Sequence, residues 1–363
     1  MKRKYNFYAG PSTLPLPVLE EIQREILDYK GNGLSIIETS HRSTEYDEVH
    51  HEAIAHIREL LEVPDNYHVL LLGGGASLQF GMVPLNLLHF AGEGACADYV
   101  VSGSWAKKAY GDAKKLGTTN AVFDGRETNY MTLPATDAIK PSSGSSYVHI
   151  TSNETIGGLQ FQEWPDTGDV PLVADMSSDI MSRRVPVERF GVIYAGAQKN
   201  LGPAGVTVVI IRKDIAERSP EHLPDYLSYR IHAEKESLFN TPPVFSVYAL
   251  SLVLRYIKQQ GGIGPLEETN RVKAELLYQA IADSDGFYRC PVDKRYRSRM
   301  NVVFRIADES LEPLFLEEAA KHDMVGLKGH RSVGGLRASI YNAMPQAGAE
   351  ALATLMRSFA ARR

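Results

Sequence analysis

The chain has 363 residues and a mass of 40.1 kDa, and its 39 basic and 44 acidic residues give a formal net charge of −5. Hydrophobic residues make up 44% and charged residues 23%, as in compact globular proteins of about two domains. The mildly acidic balance argues against a nucleic-acid binder, which needs a basic surface. No apolar stretch approaches the ~18 residues of a membrane helix, and the N-terminus lacks the apolar core of a signal peptide. We therefore expect a soluble cytoplasmic protein without nucleic-acid or membrane partners.

Short apolar runs alternate with amphipathic segments in the first two thirds of the chain. The predicted strands are His68–Leu72, Asp98–Val101, Ala121–Phe123, Tyr147–Thr151, Pro171–Ala174, Val192–Ala195 and Val206–Ile211. Several are apolar nearly throughout, which is typical of a parallel sheet covered by helices on both faces. Residues 1–260 are therefore predicted to form a large α/β domain around a mostly parallel sheet.

The last third of the chain predicts a second, smaller α/β domain over residues 261–363. A helix over Val244–Lys258 ends at Gly261 and Gly262, which are a helix stop signal. The elements predicted beyond it are helix Pro265–Ala282, strand Asn301–Ile306, helix Leu311–His322, strand Leu336–Tyr341 and helix Gln346–Ala361.

Two stretches resemble functional motifs but lack their context. Gly92–Ala97 matches a loose dinucleotide-binding pattern, yet it precedes a strand instead of opening a helix, which weighs against an oxidoreductase. His51 and His56 lie five residues apart on a predicted helix, so their rings point ~140° apart and cannot share a metal. We interpret both histidines as solvated residues on the helix surface. The two cysteines cannot form a zinc cage, and we expect no metal site.

Gly73–Ser77 follows a predicted strand and precedes a predicted helix. Glycines let the backbone approach a ligand closely, and the helix N-terminus behind them offers free N–H groups to a phosphate. A tight strand-to-helix turn explains the same residues equally well.

Asp175 and Lys199 each follow a predicted strand, at the sheet edge where ligands of α/β proteins bind. Separately they could be a capping aspartate and an exposed loop lysine. Small residues around Lys199 favour partial burial, which would lower its pKa and free the amine for attack. With the glycine-rich loop, they match the needs of pyridoxal 5′-phosphate: an amine for a Schiff base, a carboxylate for the pyridine nitrogen and a phosphate cradle. Trp105 could stack on the pyridine ring or belong to the core.

Two His-Arg pairs, His41-Arg42 and His330-Arg331, would suit a doubly charged anion, because the arginine fork binds phosphate or carboxylate oxygens in pairs. Dipeptides of this kind are weak indications by themselves.

Longer blocks of sequence between residue 6 and about 345 carry a further signal. They are Asn6–Pro11, Ser40–Arg42, Asn153–Ile156, Tyr194–Gly205, Phe239–Pro243, Lys328–Arg331 and Gly334–Pro345. Together these blocks resemble the phosphoserine aminotransferase family. The resemblance implies a fold type I PLP-dependent transferase that works as a homodimer with its active sites at the interface. The implied reaction passes the amino group of L-glutamate to a phosphorylated 2-oxo acid, 3-phosphohydroxypyruvate, giving O-phospho-L-serine and 2-oxoglutarate in serine biosynthesis. Some relatives also aminate 3-hydroxy-2-oxo-4-phosphobutanoate for pyridoxine biosynthesis.

The resemblance also assigns roles to individual residues. Lys199 would form the Schiff base and shuttle the proton, and Asp175 would pair with the pyridinium nitrogen. The other implied cofactor contacts are Trp105 on the ring, Thr155 at the ring hydroxyl, Ala76, Ser77 and Gln198 at the phosphate, and Asn240 and Thr241 at the phosphate from the partner subunit. The implied substrate contacts are Arg337 for the α-carboxylate, with His41, Arg42, His330 and Arg331 for the distal phosphate or carboxylate. Some relatives carry an arginine in the glycine-rich loop, and this chain has none there.

Three other functions compete with this one. A related cysteine desulfurase would need a mobile nucleophilic cysteine, and Cys96 and Cys290 carry no such signature. An aminotransferase for non-phosphorylated amino acids would not need two His-Arg pairs. A non-catalytic phosphate-binding relative would be expected to lose Lys199 or Asp175, and both are present.

Overall fold

A computed structural model describes residues 3–363 of the chain. Its strands are β1 (Tyr5–Asn6), β2 (Tyr67–Leu72), β3 (Cys96–Val101), β4 (Thr119–Asp124), β5 (Ser145–Thr151), β6 (Asn153–Glu154), β7 (Leu159–Gln160), β8 (Leu172–Asp175), β9 (Val192–Gly196), β10 (Thr207–Arg212), β11 (Tyr288–Arg289), β12 (Asn301–Ile306), β13 (Met324–Val325) and β14 (Leu336–Ser339). Its α-helices are α1 (Leu16–Glu25), α2 (Thr44–Leu60), α3 (Gly75–Leu87), α4 (Ser104–Ala113), α5 (Lys213–Ala216), α6 (Tyr229–Glu234), α7 (Val244–Gln259), α8 (Ile263–Ala282), α9 (Glu312–Lys321) and α10 (Gln346–Ala361).

The large sheet has seven strands in the order β2-β10-β9-β8-β5-β3-β4. Only β10 runs antiparallel to its neighbours, so the prediction of a mostly parallel sheet is confirmed. All seven predicted strands are present, with bounds that differ by one or two residues. Successive side chains of a strand point to opposite faces. Ile193 of β9 therefore packs in a core with α2 and α7, whereas Tyr194 packs in a second core with α3 and α4.

The connections of this sheet open a crevice at the carboxyl ends of β3 and β5. These two strands are neighbours, but the chain leaves β3 toward β4 on one side and later leaves β5 toward β8 on the other. Such a reversal is the usual ligand-binding place in an open α/β sheet. Residues 102–105 and 152–155 follow the two strands and therefore face this crevice.

A smaller unit forms around the antiparallel sheet β11-β12-β14. Its core joins Leu277 of α8, Phe315 of α9 and Met356 of α10. The strand predicted over Leu336–Tyr341 is shorter in the structure, where β14 ends at Ser339. The chain turns there, and the hydroxyl of Tyr341 donates to the carbonyl of Ala9 over 2.6 Å.

The N-terminal segment bridges the two units. Strand β1 pairs in parallel with β13, and Phe7 is part of the smaller core. A few residues later, the backbone N–H of Ser12 donates to the carbonyl of Gln198 over 3.0 Å, beside Lys199. The division at residue 260 stays a prediction, and these contacts add the first strand to the C-terminal unit.

The two helix histidines of the sequence analysis differ in their surroundings. The side chain of His51 is 52% exposed, as predicted. That of His56 is only 13% exposed and lies 3.4 Å from the carboxylate of Glu52 and 3.2 Å from Nζ of Lys258, so the prediction of a solvated ring is wrong there. Helix α7 covers it, which helical spacing alone does not indicate. Within residues 3–363, no helix is long and apolar enough to cross a membrane, and no cluster of metal-binding side chains forms.

Candidate active site

The glycine-rich loop carries the chain from β2 directly into α3. Gly74 and Gly75 have φ angles of 84° and 66°, in the left-handed region that favours glycine. A Cβ on Gly74 would lie 2.5 Å from Cδ2 of Leu78. Within the described chain no side chain caps α3, so the N–H groups of its first turn are available to an anion. Ala76 and Ser77 lie in that turn, the first half-buried and the second exposed.

Lys199 lies just beyond β9 and is partly buried. Its Nζ lies 2.5 Å from Oγ1 of Thr155 and 5.3 Å from the centre of the Trp105 ring. Burial lowers the pKa of Lys199 to about 8, while the carboxylates of Asp175 and Glu154 act in the opposite direction. About one tenth of the amine is therefore uncharged at pH 7, far more than for an ordinary lysine, and the uncharged form is the one that attacks a carbonyl.

Asp175 ends β8 and is only 5% exposed. Its Oδ1 accepts hydrogen bonds from the backbone N–H and the hydroxyl of Ser177, over 2.9 and 2.6 Å. Within residues 3–363, no group donates a hydrogen bond to Oδ2. Burial raises the pKa of Asp175, and Lys199 and Ser177 oppose that rise. The carboxylate is thus held in place with one oxygen left for a cationic N–H donor.

Glu154 positions the helix that carries Trp105. Its two carboxylate oxygens accept the backbone N–H groups of Trp105 and Ala106, over 3.1 and 2.8 Å, at the N-terminus of α4. Glu154 is 1% exposed, and burial raises its pKa to about 7 against the effect of these two bonds. A Cβ on Gly103 would lie 2.4 Å from Cδ of Glu154, so glycine is required for this approach.

Arg337 of β14 connects the smaller unit to the site. It is 9% exposed, and its Nη1 donates to the backbone carbonyl of Thr155 over 3.2 Å. Its buried Nε has no hydrogen-bond partner among the described residues. Arg337, His330 and Ser104 line a cavity of about 330 Å³ between the two units. An anionic group in this cavity could therefore bind Arg337.

The second His-Arg pair lies on the loop that precedes β14. Nδ1 of His330 lies 2.7 Å from the hydroxyl of Ser332, and Arg331 is exposed. Burial lowers the pKa of His330, and the positive charges of Arg337, Arg331 and Lys108 lower it further. This side of the cavity is therefore positively charged.

The remaining predicted residues are less closely tied to Lys199. Gln198 precedes Lys199, and its amide folds over Gly196, where a Cβ would lie 2.6 Å from Oε1. His41 and Arg42 precede α2, whereas Asn240 and Thr241 are exposed before α7. Within residues 3–363, no hydrogen bond or ion pair joins any of these last four to Lys199, Asp175 or Arg337.

Sequence reasoning gave no role to Glu154 or Lys108. Glu154 lies inside a block used for the resemblance, but it is about 50 residues from the start of α4 in the chain. No rule of sequence spacing predicts that these two segments come into contact. The available signal was that Glu154 follows β5 and the start of α4 follows β3, because residues that follow neighbouring parallel strands lie side by side.

The donor set fits pyridoxal 5′-phosphate. Lys199 offers an amine of lowered pKa, Asp175 offers a free oxygen at a buried carboxylate, and the start of α3 is uncapped. Nε1 of Trp105 is buried without a partner in the described part of the chain, so the edge of the indole can accommodate a polar neighbour. An anionic cofactor that carries a carbonyl and a protonated ring nitrogen would satisfy all of these groups.

Comparison with known proteins identifies the family. The aminotransferase class-V family matches residues 4–352. The chain is 54% identical over 359 residues to a phosphoserine aminotransferase of Geobacillus kaustophilus, covering 99% of both chains. The solved phosphoserine aminotransferase from Bacillus circulans subsp. alkalophilus has a TM-score of 0.97 at 51% identity, over 100% of both chains. The chain belongs to the class-V aminotransferases, among the phosphoserine aminotransferases.

The resemblance found in the sequence is thus confirmed, together with the fold type I architecture and the pyridoxal 5′-phosphate cofactor of this aminotransferase. A further solved relative, 47% identical with a TM-score of 0.97, was studied for radiation damage of the Schiff base in phosphoserine aminotransferase. A phosphoserine aminotransferase from Cytophaga hutchinsonii has a TM-score of 0.83 at 22% identity, which supports the fold alone.

The cysteines weigh against desulfuration. Cys96 is buried and Cys290 is half-buried, and burial raises the pKa of both thiols. A desulfurase needs an accessible thiolate with a lowered pKa, and neither cysteine of this aminotransferase provides one.

Replacing Glu154 tests its role at α4. We expect Glu154→Ala to lower the free energy of unfolding by about 1–3 kcal/mol, because two backbone N–H groups lose their acceptor. Urea unfolding at a fixed protein concentration measures the change. The exposed Glu163→Ala serves as the control and should change stability by less than about 0.5 kcal/mol. Equal losses in the two variants would contradict the capping role.

The reactivity of Lys199 should depend on pH with a midpoint near pH 8, since its amine reacts only when deprotonated. In the apoenzyme, trace acylation followed by mass spectrometry should show labelling of Lys199 that rises through this pH. The exposed Lys107 in the same sample serves as the control for general labelling by the reagent. Labelling of Lys199 that does not change around pH 8 would show that the environment assigned to it is wrong.

Proposed function

We propose that this aminotransferase transfers the amino group of L-glutamate to 3-phosphohydroxypyruvate, giving O-phospho-L-serine and 2-oxoglutarate in serine biosynthesis. The observation that carries the proposal is that Thr155 contacts both the Lys199 amine and Arg337, and Arg337 lines a cavity together with His330. The names of the relatives that are more than half identical over the full chain agree with it. A cytoplasmic location goes with this role.

The cofactor-binding roles are proposed for the residues assembled at the strand ends. The first turn of α3, with Ala76 and Ser77, would hold the phosphate, and Gln198 would lie beside it. Oδ2 of Asp175 would accept a hydrogen bond from the protonated ring nitrogen, and Trp105 would stack on the ring. The hydroxyl of Thr155, which lies 2.5 Å from Nζ of Lys199, would form a hydrogen bond with the ring hydroxyl. When bound, pyridoxal 5′-phosphate supplies an aldehyde for the amino group and a ring that accepts the electrons of the substrate Cα.

Lys199 would then act as the base and acid of the reaction. The amine of Lys199 would take the proton from the substrate Cα and, in the reverse direction, would return a proton to that carbon. Its pKa of about 8 suits both directions near neutral pH. Asp175 and Glu154 are only 5% and 1% exposed, so water has little access to the carboxylates beside this amine.

Arg337 would fix the substrate α-carboxylate. Its Nη1 is held by the carbonyl of Thr155, which leaves the rest of the guanidinium, including the unpartnered Nε, for a carboxylate. His330 and Arg331 would receive the distal group, which is a phosphate in one half-reaction and the γ-carboxylate of glutamate in the other.

We further propose a homodimer with shared active sites. Asn240 and Thr241 are exposed in their own chain and would complete the phosphate cradle of the partner subunit. No described contact joins His41 or Arg42 to Arg337. We therefore assign this His-Arg pair to the same interface, where it would meet the distal group of the substrate.

An absorption spectrum of the holoenzyme tests the reaction. Addition of O-phospho-L-serine should convert the bound-aldehyde band into that of the aminated cofactor, whereas L-serine should change it little. Lys199→Ala should retain weak cofactor binding but lose turnover, because the amine that moves the proton is gone. A band that does not respond to phosphoserine would refute the substrate, and an active Lys199→Ala would refute the assignment of the lysine.

Sedimentation of the active holoenzyme tests the shared site. We expect a mass twice that of the 40.1 kDa chain, because each site would need Asn240 and Thr241 of the other subunit. A fully active monomer would show that these residues do not complete the site across an interface.

A further inference from the structure

Lys108 lies on α4, one turn after Trp105, and its side chain is exposed. Its Nζ lies 4.1 Å from the centre of the Trp105 ring. Among residues 3–363, no carboxylate lies within ion-pair distance of Lys108. The electron-rich face of an indole ring attracts a cation at this distance. This contact places the amine near the active site without neutralising it.

The charge of Lys108 acts on the loop before β14, which carries His330 and Arg331. Its positive charge acts on His330, together with the charges of Arg337 and Arg331. The positive charges of Arg337, Arg331 and Lys108 therefore act on one region, at His330 on the lining of the cavity, and such a region favours an anionic ligand.

The glycine-rich loop supplies no cation to this region, since Gly73–Ser77 contains only glycine, alanine and serine. Helix α4 opens at the crevice between β3 and β5, and its first residue, Ser104, lines the cavity together with His330 and Arg337. Lys108 is one turn further along the same helix. Helix α4 thus adds the positive charge of Lys108 to those of Arg337 and Arg331.

We propose that Lys108 is a specificity-determining residue that favours a phosphorylated substrate over a carboxylate substrate. The proposal rests on the proposed function, because it takes the distal phosphate as the group that is recognised. A phosphate monoester carries a charge of about −1.5 to −2 at neutral pH, whereas the γ-carboxylate of glutamate carries one negative charge. An added cation stabilises the more highly charged group more strongly.

Kinetics of the holoenzyme with Lys108→Met test this role. Methionine keeps an unbranched apolar side chain beside Trp105 and removes only the charge. We expect KM for O-phospho-L-serine to rise about fivefold, KM for L-glutamate to change less than about twofold, and kcat to stay near the wild-type value. Lys107→Met is the matched control, because Lys107 is the exposed neighbour on the same helix, and it should leave both constants unchanged.

Inhibition by inorganic phosphate provides a second readout. The inhibition constant should rise in Lys108→Met about as much as KM for phosphoserine, and Lys108→Arg should restore both. Equal increases for phosphoserine and glutamate, or a loss confined to kcat, would overturn the proposal, because they would indicate a packing role beside Trp105. Kinetics identical to those of Lys107→Met would also overturn it. If the wild-type holoenzyme does not react with phosphoserine, the proposed function itself fails.

Discussion

The active site depends on keeping an amine and two carboxylates together away from bulk water. Lys199, Asp175 and Glu154 lie at neighbouring strand ends, and desolvation is the largest influence on the pKa of each. Buried charges are tolerated only where partners and hydrogen bonds compensate them. Ser177 provides this for Asp175, and the N-terminus of α4 provides it for Glu154. At Lys199 the effect of burial outweighs the opposing effect of the two carboxylates and leaves the amine with a pKa of about 8.

The buried carboxylate of Glu154 also determines the position of α4 and of its side chains. The carboxylate of Glu154 can reach the N-terminus of α4 only because Gly103 has no side chain. Trp105 is thereby fixed above Lys199, and Lys108 follows one turn later. A single buried carboxylate thus fixes the helix that carries Trp105 at the proposed cofactor site and Lys108 beside the proposed substrate cavity.

Thr155 joins the two units of the fold at the reacting centre. Its hydroxyl meets the Lys199 amine, and its carbonyl accepts Arg337 from the smaller unit. Two residues earlier, Nδ2 of Asn153 donates to Oδ1 of Asn301 on β12 over 2.8 Å. The segment after β5 therefore positions the proposed carboxylate-binding arginine relative to the proposed base. A shift of the smaller unit would move Arg337 away from Lys199, so substrate binding and chemistry share one geometric constraint.

The amino-acid sequence by itself determined the seven strands of the large sheet, the cofactor class and the family, because these depend on local hydrophobic patterns and on contiguous motifs such as Tyr194–Gly205. It also indicated that Asp175 and Lys199 lie at one sheet edge, since parallel strands end together. Other features depended on which distant segments become neighbours. Four features follow from segments that lie far apart in the chain: the burial of His56, the pairing of β1 with β13, the cap formed by Glu154 and the electrostatic effect of Lys108 on His330. Only the tertiary structure decided these, because electrostatics and packing act through space and leave no periodic signal along the chain.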